Sequence, residues 1–129
     1  MYVKTLRTFA AFVAFVLMLT ACGGGTTTPP TPTLDPVAAR GKRIFSQHCA
    51  ACHSLSPDTI IVGPSLAGIA TRAAERVPGM DARTYIEQSI LKPDAYIVEG
   101  FPNAMPNEFG KKLSGEELDA LVHFLLTLQ

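Results

Sequence analysis

The chain carries three cysteines and three histidines. Four of these side chains fall in one short run, His48-Cys49-Ala50-Ala51-Cys52-His53. Cys49 to His53 form a C-x-x-C-H pattern, the attachment signal for a c-type haem. Residues three apart on a helical turn share a face. Both sulfurs can therefore reach the two vinyl groups on one haem edge, and His53 can bring its imidazole under the iron. Other chemistries fit less well. A structural zinc site needs four ligands at workable spacing. Only Cys22 lies outside the motif, and His48 and His53 are strung too tightly with Cys49 and Cys52. A thioredoxin-like pair wants a strand before it and a βαβ pattern, whereas the preceding segment reads as helix. A plain disulfide remains compatible with an oxidising compartment.

An iron that cycles electrons with little rearrangement needs a second axial ligand. Met80 and Met105 are the methionines beyond the N-terminal apolar run. Met105 sits in Phe101-Pro102-Asn103-Ala104-Met105-Pro106, a proline-punctuated loop before the last helix, and is the expected ligand. Met80, in Pro78-Gly79-Met80-Asp81, is expected to be an exposed or gap-filling turn residue, since methionine packs adaptably. The spacing supplies no acid–base pair and no nucleophile with a base, so no enzyme activity is expected.

The elements that must position these groups are helical. Asp35-Pro36 starts a helix, with Asp as cap and Pro at the first position. Val37, Gly41, Ile44, Phe45 and Cys49 then recur as a helical stripe leading into the motif. At the other end, Ser114-Gly115-Glu116-Glu117 is a capping box, with Leu113 and Leu118 placed as a hydrophobic staple. Leu118, Leu121, Val122, Leu125 and Leu128 make one apolar face, with Phe124 beside it.

The first residues are of another kind. Lys4 and Arg7 precede an almost wholly apolar run from Thr8 to Leu19. As a helix it would span only about 18 Å, short of the roughly 30 Å of a bilayer core, so it reads as a signal peptide. Leu19-Thr20-Ala21-Cys22 resembles the bacterial lipoprotein signal, which implies cleavage before Cys22 and a lipid on its sulfur. Two or three acyl chains would anchor stably. The following Gly23-Gly24-Gly25-Thr26-Thr27-Thr28-Pro29-Pro30-Thr31-Pro32-Thr33 is a tether, flexible at its glycines and stiffer at its prolines. The expected organisation is residues 1–21 signal peptide, 22–36 lipidated Cys and tether, and 37–129 folded domain. The protein is expected on the cell membrane, lipid-anchored at the extracytoplasmic face. Across all 129 residues, 11 basic side chains balance 11 acidic ones, which argues against nucleic-acid binding. Removing Lys4 and Arg7 with the signal leaves a formal charge of −2.

From Val37 to Gln129 the sequence resembles the small monohaem, His/Met-ligated cytochromes c. The matching features stand in family order: Gly41 and Phe45, Cys49-Ala50-Ala51-Cys52-His53, Gly63-Pro64-Ser65-Leu66, Met105-Pro106, then the C-terminal helix. The resemblance implies an all-α fold of about four helices wrapped around one covalent haem c. It implies thioether links at Cys49 and Cys52, and His53 and Met105 as axial ligands. It also implies close crossing of the terminal helices, with Gly41 and Phe45 meeting Phe124, and a Pro64 carbonyl bonded to His53. Ser89 to Phe101 would wrap the propionate edge, with Tyr96, Arg72 and Lys92 as candidate propionate contacts. His48 and His123 are expected in solvent, though either could offer bis-His ligation if Met105 failed. The implied role is a membrane-anchored one-electron carrier. Its partners would be redox proteins such as a quinol-oxidising complex, an oxidase or a reaction centre. The rival is a haem peroxidase or gas sensor with a displaceable Met105.

Overall fold

A computed structural model describes residues 34–129. The apolar run, Cys22 and the tether as far as Thr33 lie outside the described residues. Five helices follow in order: α1 (Pro36–His48), α2 (Ile69–Arg76), α3 (Ala82–Leu91), α4 (Phe109–Lys112) and α5 (Gly115–Leu126). The fold is all-α. Among the described residues the sole extended pairing is an isolated bridge between His53 and Ile60. The fifth helix beyond the four expected is the single turn α4. No described helix is long and apolar enough to cross a membrane.

α1 starts where the capping chemistry requires. The Asp35 carboxylate accepts from the amides of Val37 (2.9 Å) and Ala38 (3.0 Å), and Pro36 occupies the first helical position. The folded chain takes up residues just before Val37: Asp35 caps, and Leu34 packs on the core. Gly41, Ile44 and Phe45 of the expected stripe are buried, and the stripe departs from expectation at its first turn. Ala38, Gly41, Ile44 and Phe45 face inward, while Val37 is 46% exposed. At the first turn the smaller alanine fits the closer approach.

That approach is to α5, whose Ser114 and Glu117 form the expected reciprocal capping box. A Cβ on Gly41 would lie 1.9 Å from the Ala120 carbonyl oxygen and 2.6 Å from Phe124 Cβ. Only glycine lets the two backbones come so close. One turn on, the Phe45 and Phe124 rings meet at 5.9 Å, tilted by 54°, an arrangement worth about 0.5–1.5 kcal/mol beyond simple burial. Leu121 and Val122 are the largest fully buried side chains. Burying each contributes about 1.5–3 kcal/mol. α3 adds Tyr85, Ile86 and Ile90 to the same core. The helices thus form an apolar frame with one side left to irregular chain, residues 49–68 and 92–108.

Candidate functional site

The frame delivers the motif through a turn, not a continuing helix. α1 ends at His48, and the Cys49 amide closes it on the Phe45 carbonyl (2.8 Å). The amides of Cys52 (3.0 Å) and His53 (2.9 Å) then both donate to the Cys49 carbonyl. This folds Cys49, Cys52 and His53 onto one wall of a cleft. Both thiols are free. Burial, helped by the neighbouring Cys52, pushes the Cys49 thiol up to about 11, so it stays protonated at neutral pH.

His53 is held from two sides. Its Nδ1 lies 2.9 Å from the Pro64 carbonyl oxygen. A carbonyl only accepts, so Nδ1 carries the proton and Nε2 keeps its lone pair for a metal. Against the ring lies Gly63, where a Cβ would stand 2.4 Å from His53 Cε1. The backbone of this loop is tied down in turn. The Val62 and Gly63 amides donate to the Cys52 carbonyl at 3.2 and 2.9 Å, and the Leu66 amide donates to Ser54 at 2.8 Å.

Arg72 braces the same loop. Its guanidinium donates to the Ser65 carbonyl at 2.8 Å and to the Ala67 carbonyl. It lines the cleft as a propionate contact would, yet two of its nitrogens are already engaged with backbone. Tyr96 also lines the cleft, edge-on to Tyr85 at 5.7 Å. Lys92 does not line it; it caps the C-terminus of α3, its amide bonded to Gln88. Arg76, absent from the sequence-based expectations, does line it. Its place is set by a one-turn spacing from Arg72, a signal too common to single it out.

The loop before α4 also lines the cleft, with Met105 and the flanking Pro102 and Pro106. Met80 is outside the lining and packs, half-buried, against the core. His48 is exposed at the cleft edge. His123 is half-buried elsewhere, with Nε2 3.0 Å from an Asp35 carboxylate oxygen. Ile86 and Ile90 of α3 and Leu121 and Leu125 of α5 floor the cleft. Among the described residues no three His, Cys, Asp or Glu side chains cluster as a metal site.

This helical frame with two thiols, an oriented imidazole and a thioether around one apolar cleft defines a c-type haem domain. Residues 38–129 match the family model for cytochrome c, and the chain belongs to that family. A 44-residue stretch, 34% of this chain, is 41% identical to cytochrome c type-1 of Ascaris suum, of which it covers 39%. The chain thus spans well under half of that relative's length. The cofactor of this domain is covalently bound haem c. The residues present fit it: two free thiols three residues apart, an imidazole with Nε2 free, the cradle at Gly63, and apolar walls.

Proposed function

We propose that this protein is a membrane-anchored one-electron carrier, not an enzyme. The observation that carries the reading is the meeting of Cys49, Cys52, His53 and Met105 around a single apolar cleft. When bound, the haem supplies the iron that gains and loses one electron. Cys49 and Cys52 fix it covalently. His53 and Met105 would supply its two iron ligands, leaving the metal no open place for a substrate. Pro64 orients His53 and raises its basicity through the Nδ1 hydrogen bond. A thioether opposite a histidine favours the reduced state and raises the potential. The apolar floor excludes water. Tyr96, Arg72 and Arg76 line the same cleft and are proposed to meet the propionates, whereas Lys92 lies outside the lining.

The anchor rests on the sequence alone. Leu19-Thr20-Ala21-Cys22 supports a lipidated Cys22 at the extracytoplasmic face of the cell membrane. A lipid and a tether would hold the domain near redox complexes of that membrane, such as a quinol-oxidising complex, an oxidase or a reaction centre. Cys22→Ser should release the protein from membranes; tight association of that variant would refute the anchor.

Optical spectra test the site. Met105→Ala should abolish the methionine–iron signature of the oxidised holoprotein, and Met80→Ala should leave it intact. The reverse would overturn the ligand assignment. Rapid carbon monoxide binding by the reduced protein would refute the closed six-coordinate carrier in favour of a peroxidase or gas sensor.

A further inference from the structure

α1 carries side-chain charge of one sign. Its 13 residues include Arg40, Lys42, Arg43 and His48 and not one Asp or Glu. Ala38, Gly41, Ile44 and Phe45 face the core, so the stripe at 39, 42, 43, 46 and 47 turns the other way. Together with Leu34, that stripe lines a shallow groove along the outer side of the helix: Leu34, Ala39, Lys42, Arg43, Ser46 and Gln47. Two cations and no acid stand in this lining.

The acids beside it are already engaged. Asp35 holds the Val37 and Ala38 amides and meets His123, and Glu116 meets Arg40 at 3.3 Å. Lys42 and Arg43 are both exposed, and neither pairs with a carboxylate among the described residues. Arg43 donates to the Ala39 carbonyl of its own helix (3.4 Å). The other described cations without a carboxylate partner stand elsewhere: Arg72 and Arg76 line the cleft, Lys92 follows α3, and Lys111 lies on α4.

The groove also lies where the tether joins the folded domain, because Leu34 lines it and directly follows Thr33. Residues 22–33 separate it from Cys22, a reach of at most about 40 Å. A lipid on Cys22 would hold the groove within that distance of the headgroups. Such a tether makes a second, weak contact intramolecular and so raises its occupancy. Each basic side chain beside an anionic leaflet strengthens that contact about fivefold. No residue of the groove lines the cleft, so contact through the groove draws on none of the groups that handle the haem.

We infer that the outer face of α1, centred on Lys42 and Arg43, docks on anionic lipid headgroups and sets how the tethered domain stands on its membrane. Lysine and arginine rest their stems on apolar surface and keep their charged heads in water. Leu34 and Ala39 would support the stems while the heads meet lipid phosphates. This inference rests on the lipid anchor proposed above.

Amine labelling of the full-length lipidated holoprotein tests it. The protein is bound to vesicles of phosphatidylcholine alone, or of phosphatidylglycerol mixed equally with phosphatidylcholine. An acetylating N-hydroxysuccinimide ester then modifies exposed lysines, and mass spectrometry gives the rate at each. At low salt, Lys42 should label about fivefold more slowly on the anionic vesicles than on the neutral ones, while Lys92 and Lys111 label alike on both. Salt at about 500 mM, where charge reaches only a few ångströms, should remove the difference. Arg43→Gln should cut the protection of Lys42 to less than about twofold. Lys111→Gln removes the same charge elsewhere and should leave that protection unchanged.

Equal labelling of Lys42 on both vesicles, or equal protection of Lys92 and Lys111, would overturn the membrane face and leave the anchor standing. Undiminished protection in Arg43→Gln would do the same. Protection of Lys42 in native membranes but not on vesicles would assign the groove to an acidic protein and also overturn the lipid contact. Failure of the protein to float with either kind of vesicle would refute the anchor, and the membrane face with it.

Discussion

The crossing of α1 and α5 and the loops around the cleft are built by opposite means. At the crossing, two regular helices touch through backbone, at Gly41 and Ala120, and through the Phe45–Phe124 pair. In the loops, irregular chain is held by side chains reaching backbone: Pro64 to His53, Arg72 to Ser65 and Ala67. The crossing excludes water with well-packed apolar atoms. The loops line a mostly apolar cleft that is open to solvent. One region therefore sets global stability, and the other sets the orientation of the groups that handle the haem.

The largest effect should come from the crossing. Gly41→Ala places a methyl 1.9 Å from a backbone oxygen, which no rotamer change relieves. Overpacking costs about 1–3 kcal/mol when neighbours can shift, and here one neighbour is helix backbone. A loss of about 3 kcal/mol is expected, lowering the thermal midpoint by more than about 10 °C in a domain of this size. The absorbance of the folded holoprotein should remain that of the parent. A small change in midpoint would mean that α1 and α5 can slide apart.

Arg72→Met should act on the other region. It removes two charge-assisted hydrogen bonds to loop carbonyls, each worth about 1.5–3 kcal/mol where no water replaces it. Arg72 is partly exposed, so a global loss nearer 1–2 kcal/mol is expected. Its distinguishing mark is at His53: a loosened Pro64 carbonyl should shift the reduction potential and broaden the histidine resonances in NMR spectra. Equal stability loss without any change at His53 would mean that the loop holds its shape unaided.

These two regions were also unequally legible in the sequence. Asp35-Pro36, the capping box at Ser114 and Glu117, and the periodic leucines of α5 are local signals, and the structure follows them. The burial of Ala38 in place of Val37 at the first turn of α1 was not legible, because it depends on how closely α5 approaches. Cys49, Cys52 and His53 were legible because their chemistry demands fixed spacing. Met105 was set apart from Met80 only by its proline-rich surroundings; Met105 lines the cleft and Met80 does not. Gly63 as a cradle for His53 and Arg72 as a brace were hidden, since both act on residues brought near by the loop. The single turn α4 is too short to announce itself by periodicity.

Ser114→Ala sharpens the comparison from the helical side. It removes the hydroxyl that accepts from the Glu117 amide at 3.3 Å and should cost about 1 kcal/mol. Chemical denaturation of the variant should show a lower midpoint with an unchanged slope, and the site spectrum should not move. A spectral change would mean that α5 reports directly on the cleft.

Acid should separate the two regions most finely, since nothing changes at neutral pH. Hydrogen bonds hold three helix-start carboxyls below their ordinary values. The Ala38 amide and then His123 act on Asp35, the Thr84 hydroxyl and amide on Asp81, and the Ser114 amide and hydroxyl on Glu117. In the unfolded chain these groups titrate at their ordinary 3.8, 3.8 and 4.5. As the pH falls, the unfolded state therefore binds protons first. The stability that the caps contribute is fully present above about pH 5 and declines below it. It is lost as the pH passes through the lowered folded-state values. Urea midpoints measured from pH 7 down to pH 3 should fall only below about pH 5. Asp35→Asn with Asp81→Asn keeps a good capping acceptor at both positions but removes two of the three titrations, so the fall should be shallower. Circular dichroism reports the helices and visible absorbance reports the cleft. If absorbance collapses before helicity, and equally in both proteins, acid strikes the His53 side of the molecule first and the caps are not its target.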